Sequence, residues 1–162
     1  AGRAHGLRHA GYHAMDSLRI EKAYRSWGHD IVDVDTPLEA GLRFAVAFDK
    51  DGGFIGKDAL LRHLANGIKR RLAVFVLDAP DPILLGDEPI YRDGELAGVV
   101  TSGEYGHTIG TAIGLGYVES EDGVTPGYIR AGTYEIEIAT ERYAAKVRMT
   151  APYDPKGLRV HM

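Results

Sequence analysis

The sequence predicts an α+β chain, with helices in its first third and a small antiparallel β-structure behind them. Two patterns carry this reading. Residues 7–30 and 56–67 place apolar side chains at helical spacing. Beyond Lys69 the pattern turns almost wholly to short strand-like runs, about six of them, separated by turn residues. The 21 glycines, concentrated after Gly86, suit a turn-rich β-region.

In the first helix, Leu7, Ala14 and Leu18 share one stripe. One further turn brings that stripe to Glu21. A carboxylate on an apolar face is costly unless something pairs with it. Arg19, Lys22 and Arg25 are near in sequence but on other faces. Three readings stay open: a salt bridge to a distant base, a helix end emerging into water, or a carboxylate awaiting a ligand with two adjacent N–H donors. Trp27-Gly28 closes the helix, with Gly28 as its cap. His5, His9 and His13 share a face of this helix at i, i+4, i+8. Neighbouring pairs have chelate spacing, but the outer two lie about 12 Å apart along the axis, too far for one ion. A solvated polar face is the reading, and no metal site is predicted.

Thr36-Pro37-Leu38-Glu39 reads as a helix start that stops near Gly41. Residues 42–48 alternate Leu42, Phe44, Val46 and Phe48 against smaller or charged partners, hence a strand. Residues 49–53 are a turn and 56–67 a second helix. A boundary at 67–69 divides the chain into domains 1–67 and 68–162. Residues 71–77 form a strand with a near-continuous apolar run, and 79–82 a loop with two prolines. Residues 89–92 and 95–101 flank Asp93-Gly94, a type I′ hairpin signal. Another strand covers 112–119, followed by a loop reaching Gly132. Residues 133–139 and 142–150 make a last hairpin. On it Tyr134, Ile136 and Ile138 face one way, while Glu135 and Glu137 oppose Arg142, Lys146 and Arg148 on the polar face. Gly106, Gly110 and Gly114 make GxxxGxxxG, a membrane-dimer motif in an apolar helix. Strand patterns and His107, Thr108 and Thr111 assign them instead to turns, bulges or close backbone approach. The strand set suggests a small barrel or sandwich.

Bulk properties narrow the function. The 162 residues are 44% hydrophobic and 26% charged, the profile of a globular chain. A net charge of −4 argues against nucleic-acid binding by phosphate neutralisation. The lack of cysteine excludes disulfides, thiolate metal sites and a cysteine nucleophile. No apolar run approaches a membrane span, and residues 1–10 have no signal-peptide core. GxGxxG, GxSxG and HExxH are all absent. The chain opens on a helix-like stretch without Met, as if cut from something longer.

The motifs supply the sharpest signal. In order they are HAGY (9–12), SLRIEK (17–22), YRSWG (24–28) with Asp30, TPLEAGL (36–42), FIGKDAL (54–60), KRRLAVFVL (69–77), TSGEYG (101–106), IGLGYV (113–118), AGTYEIEI (131–138) and APYDP (151–155). Together they resemble the tetrahydrofolate-binding region of the glycine-cleavage T-protein superfamily, in particular the C-terminal part of sarcosine and dimethylglycine dehydrogenases. The resemblance implies that residues 1–67 are the truncated end of a folate-binding α/β domain and that the remainder is a compact β-barrel.

It also implies a site and a reaction. Glu21 would grip the adjacent N–H donors of the pterin, with Tyr24, Lys50 and Arg159 as further tetrahydrofolate contacts. Lys50 matches a basic loop residue of the family; otherwise it is a solvated turn lysine. Ser102–Gly106 matches a barrel loop leaning over the cleft. Lys69-Arg70-Arg71 either attract the glutamate tail or form an exposed strand entry. The segment Tyr153–Arg159 resembles a terminal stretch that returns to the pocket, although Leu158 replaces the family's aromatic. Arg159 then reaches the substrate or ends in solvent. The family's catalytic carboxylate and an FAD-binding amine-oxidising domain would lie upstream. The expected function is capture of an oxidised methyl group as 5,10-methylenetetrahydrofolate. The alternatives are a free-standing aminomethyltransferase served by a lipoyl carrier protein, or a non-catalytic regulatory or interaction module. The expected location is the cytoplasm, or the mitochondrial matrix in a eukaryote.

Overall fold

A computed structural model describes residues 1–161. Its elements are α1 (Tyr12–Glu21), α2 (Lys57–Asn66), β1 (Arg70–Leu77), β2 (Pro89–Arg92), β3 (Glu95–Gly106), β4 (Thr111–Glu119), α3 (Pro126–Ala131), β5 (Tyr134–Ile138) and β6 (Glu141–Arg148). The six strands close into a barrel in the order β1-β4-β3-β2-β5-β6, with every pairing antiparallel. The α+β class and the barrel are as expected, and closure removes the edge strands.

The apolar run of β1 has a direct cause. Ala73, Phe75 and Leu77 point into the barrel, among Leu84, Ile90, Val100, Ile129, Tyr134 and Ile136. Leu72, Val74 and Val76 point outward into a second cluster with Ile20, Ala23, Ile113, Leu115 and Tyr117. A strand covered on both faces cannot alternate apolar with polar. Strand β4 is buried on both faces in the same way. Its inward Gly116 is required, because a Cβ there would lie 2.6 Å from Ile90 Cδ1 and 2.8 Å from the Val99 carbonyl oxygen. The second cluster is what seats α1 against the barrel wall at β3 and β4.

The hairpins follow their turn chemistry. Asp93 and Gly94 have φ of 53° and 88°, as a type I′ turn requires. The β5–β6 turn makes the same demand of Ala139 (φ 49°) and Thr140 (φ 71°), residues poorly suited to it. Across the outer face of this hairpin Glu137 pairs with Arg142, as the charge pattern predicted.

The region before the barrel departs from the sequence reading. Helix α1 ends at Glu21, seven residues before Gly28. Ala23, at φ 52°, takes the left-handed position, and the N–H groups of Ala23 and Tyr24 return to the carbonyls of Ile20 and Arg19. That is a Schellman closure made without glycine. The buried face is Ser17, Ile20 and Glu21, whereas Leu7 and Leu18 of the predicted stripe are exposed. His5 lies in a 3₁₀ turn and His9 precedes α1, so the three histidines do not share a helix face. Among the described residues no cluster of side chains could hold a metal ion.

The predicted strand at 42–48 is a 3₁₀ turn, Arg43–Ala45. Alternation defines a strand only where a neighbour completes the ladder, and among the described residues none pairs with it. Thr36 and Glu39 form the reciprocal bonds of a capping box, Glu39 Oε2 accepting from Thr36 N–H and Glu39 N–H donating to Thr36 Oγ1. The turn they start ends at once, with Gly41 at φ 70°. Helix α2 forms as expected but buries none of its residues. The loop to Gly132 contains α3, which the sequence reading missed. Its signal is Thr125-Pro126, the same Thr-Pro start found at residue 36, and Thr125 Oγ1 accepts from the Tyr128 N–H.

Candidate functional site

An open cleft of about 1040 Å³ lies where the end of α1, the β3–β4 turn and the C-terminal segment meet. One wall is the outward face of α1, with Tyr12, Met15 and Leu18. The sequence reading took the Leu18 stripe as the buried side; it is the cleft side. Tyr24, Tyr153 and Arg159 line the cleft as well. Glu21 belongs to both worlds: it lines the cleft, yet only 2% of it is exposed.

The barrel supplies the Glu21 partner. Residues 107–110 turn β3 into β4, and the N–H groups of Thr108 and Ile109 donate to Glu21 Oε1 at 2.6 and 3.2 Å. Two N–H donors on one carboxylate oxygen offset much of its burial cost. No hydrogen bond among the described residues reaches Oε2. Among the described residues no basic side chain pairs with Glu21; a turn's main chain does that work and leaves no residue-type signature. Gly106 sits against this contact. A Cβ on it would come within 3.2 Å of Glu21 Oε1 and 2.5 Å of Ile113 Cδ1.

The C-terminal segment does return to this place. The Tyr153 N–H donates to the Glu21 main-chain oxygen at 3.0 Å. Lys22 Nζ donates to the Asp154 carbonyl (2.7 Å) and to its carboxylate (3.3 Å). The Leu158 and Arg159 N–H groups also donate to that carboxylate. Burial pushes the Asp154 carboxyl up, but the Lys22 contact and those two N–H groups outweigh it and hold it below the ordinary aspartate value. The Arg159 guanidinium lies 5.5 Å from the Tyr153 ring centre.

Of the four predicted contact residues, the structure brings Glu21, Tyr24 and Arg159 to one cleft. Lys50 sits exposed on its turn and is not among the cleft residues. Ser102 faces away from the cleft, into a buried contact with Asp30; Thr108, in the next turn, lines it. Arg70 is committed to Asp35 and Glu119 and lies 3.6 Å over the Tyr117 ring. Lys69 pairs with Glu121 on the surface.

Sequence reasoning missed Asp30 as the joint beneath the site. It is fully buried, and its carboxylate accepts from Arg19 Nη1, Ser26 N–H, Thr101 Oγ1 and Ser102 Oγ. Tyr117 donates its hydroxyl to the Asp30 main-chain oxygen at 2.9 Å. Burial raises the Tyr117 pKa well beyond the working range, so it stays a neutral donor. These contacts lock the loop after α1 onto β3 and β4. The only sequence hint was the lone Asp30 following YRSWG.

The family model of the glycine cleavage T-protein C-terminal barrel domain matches residues 70–154, just over half of the chain. The GCVT N-terminal domain matches residues 1–50. The chain belongs to the glycine cleavage T-protein family. It is 45% identical over 160 residues to 4-methylaminobutanoate oxidase (formaldehyde-forming) of Paenarthrobacter nicotinovorans, covering 99% of this chain and 19% of that protein. Over 162 residues it is 39% identical to mitochondrial sarcosine dehydrogenase of Mus musculus, covering 99% and 18%. It is also 44% identical to the mitochondrial pyruvate dehydrogenase phosphatase regulatory subunit of Mus musculus, covering 91% and 18%. The crystal structure of aminomethyltransferase T from Bartonella henselae superposes with a TM-score of 0.72 at 26% identity, covering 86% of this chain and 37% of that one. The chain thus has an aminomethyltransferase-like fold and is related to sarcosine and dimethylglycine dehydrogenases. It spans about a fifth of the length of these curated relatives. No helix among the described residues is long and apolar enough to cross a membrane.

Proposed function

We propose that this chain is the tetrahydrofolate-binding one-carbon-transfer module of a sarcosine or dimethylglycine dehydrogenase-type enzyme. One observation carries the reading: Glu21 is buried at the cleft with Oε1 held by two N–H groups and, among the described residues, no donor on Oε2. Such an oxygen suits a ligand that brings N–H donors of its own. The apolar wall of Tyr12, Met15 and Leu18 offers flat contact to an aromatic ring system. Bound here, tetrahydrofolate would take up an oxidised methyl group as 5,10-methylenetetrahydrofolate. The residues of this chain contribute binding and orientation. Glu21 fixes the pterin edge, Tyr24 and Arg159 meet the ligand, and Lys50 is a fourth contact that requires its loop to face the ligand.

We assign residues 1–67 to the end of the folate domain and 68–162 to the barrel domain. The carboxylate near the reacting carbon and the FAD-dependent oxidation belong to sequence outside these residues. The setting is cytoplasmic, or the mitochondrial matrix in a eukaryote. A free-standing aminomethyltransferase served by a lipoyl carrier protein is the alternative enzyme. A regulatory module is the second reading, favoured by the likeness to the phosphatase regulatory subunit.

Calorimetric titration with 5-formyltetrahydrofolate tests the proposal, with Glu21→Gln beside it. Saturable binding that Glu21→Gln weakens by about 2 kcal/mol supports it. Absence of binding leaves either a truncated site or a non-folate module, which the same titration on a longer chain containing these residues separates; binding indifferent to Glu21→Gln removes the role assigned to that carboxylate.

A further inference from the structure

The barrel contributes to the cleft through its main chain. The Thr108 and Ile109 N–H groups reach the same oxygen, Glu21 Oε1. The carboxylate is therefore pinned at one end, and rotation about its last bond would break both contacts. Such a side chain presents Oε2 in a fixed direction. Gly106 keeps the space that this arrangement needs, since any Cβ there crowds both Glu21 and Ile113. The turn is itself braced, with Gly110 N–H donating to the Gly106 carbonyl at 2.7 Å and Gly110 at φ 85°.

We propose that Thr108 and Ile109 of the β3–β4 turn are positioning residues for ligand recognition: their main-chain N–H groups pin Glu21 Oε1 and so leave Oε2 as the oxygen offered to the ligand. This rests on the folate reading of the cleft. Its consequence is specific: the barrel turn governs affinity for a ligand that the Thr108 side chain need not touch. The expected signature is dependence on the N–H of residue 108 and indifference to its hydroxyl.

Two substitutions separate these. Thr108→Pro removes the shorter donor, and Thr108→Ala keeps it. In titrations with 5-formyltetrahydrofolate, Thr108→Pro is expected to weaken binding roughly tenfold or more, as for loss of a charged hydrogen bond. Thr108→Ala should stay within about twofold. A second measurement needs no ligand. In an amide-resolved NMR spectrum the Thr108 N–H should lie far downfield and protected from exchange, and Glu21→Ala should abolish both properties while amides in β5 and β6 stay in place. A Thr108 amide unmoved by Glu21→Ala overturns the pinning itself. Wild-type binding that survives Thr108→Pro, or falls equally in Thr108→Ala, overturns the positioning role alone. A Thr108 amide that responds as expected in a wild-type chain that binds no folate overturns the folate reading, and the ligand role of the turn with it.

Discussion

Asp30 serves four donors from a site with no exposure, so its loss would strand several polar groups at once. Asp30→Ala leaves Arg19 without its buried counter-ion and should cost about 3–5 kcal/mol, read from urea unfolding midpoints. Asp30→Asn keeps an oxygen for the two hydroxyls and should cost less. Gly106→Ala acts by crowding. The added methyl forces Ile113 or Glu21 aside, an overpacking expected to cost about 1–3 kcal/mol in the same measurement. The importance of Glu21 was legible in the sequence as an anomaly, a carboxylate beside an apolar stripe. Its partner was not, because main-chain donors 87 and 88 residues away carry no side-chain signal.

Among the elements, turns and helix ends hold the testable weaknesses. The β5–β6 turn asks Ala139 and Thr140 for positive φ at exposed positions. Placing Asn-Gly there should stabilise the hairpin by about 1 kcal/mol or more, seen as a rise in the thermal midpoint with the barrel unchanged. The clip between α1 and the C-terminal segment is sensitive to pH. The Asp154 carboxyl is held below its unfolded value, so its contacts stabilise the clip above about pH 4. That contribution is lost as the pH falls through the lowered folded value. Exchange of the Tyr153 amide should accelerate in that range, and Asp154→Asn should remove the transition. The strand patterns that read correctly, among them 71–77, 89–92, 133–139 and 142–150, are those with a neighbour in the barrel. Residues 42–48 show equal alternation and no neighbour among the described residues, and they do not form a strand.

At the scale of the molecule, stability sits in the barrel. Phe75 is fully buried at its centre and packs edge-on against Tyr134 at 5.4 Å. Phe75→Ala should cost about 3–5 kcal/mol, a large share of the margin of a domain this size, measured as a loss of cooperative unfolding. The first 67 residues bury far less: Ile20, Ala23, Leu38 and Ala40 are their buried apolar residues, while Phe44 and Ile55 are exposed. The succession of strands along the chain, the Asp93-Gly94 turn and the family were legible in the sequence alone, because they depend on side-chain alternation, local φ demands and motif order; the order in which the strands pair around the barrel was not. Which face of α1 is buried, and which atoms hold Glu21 and Asp30, only the tertiary structure decided. Both faces of that helix carry apolar side chains, so local pattern could not rank them. The choice came from the barrel wall, where Ile20 and Ala23 meet Val74, Ile113 and Leu115, and where turns distant in sequence present their N–H groups.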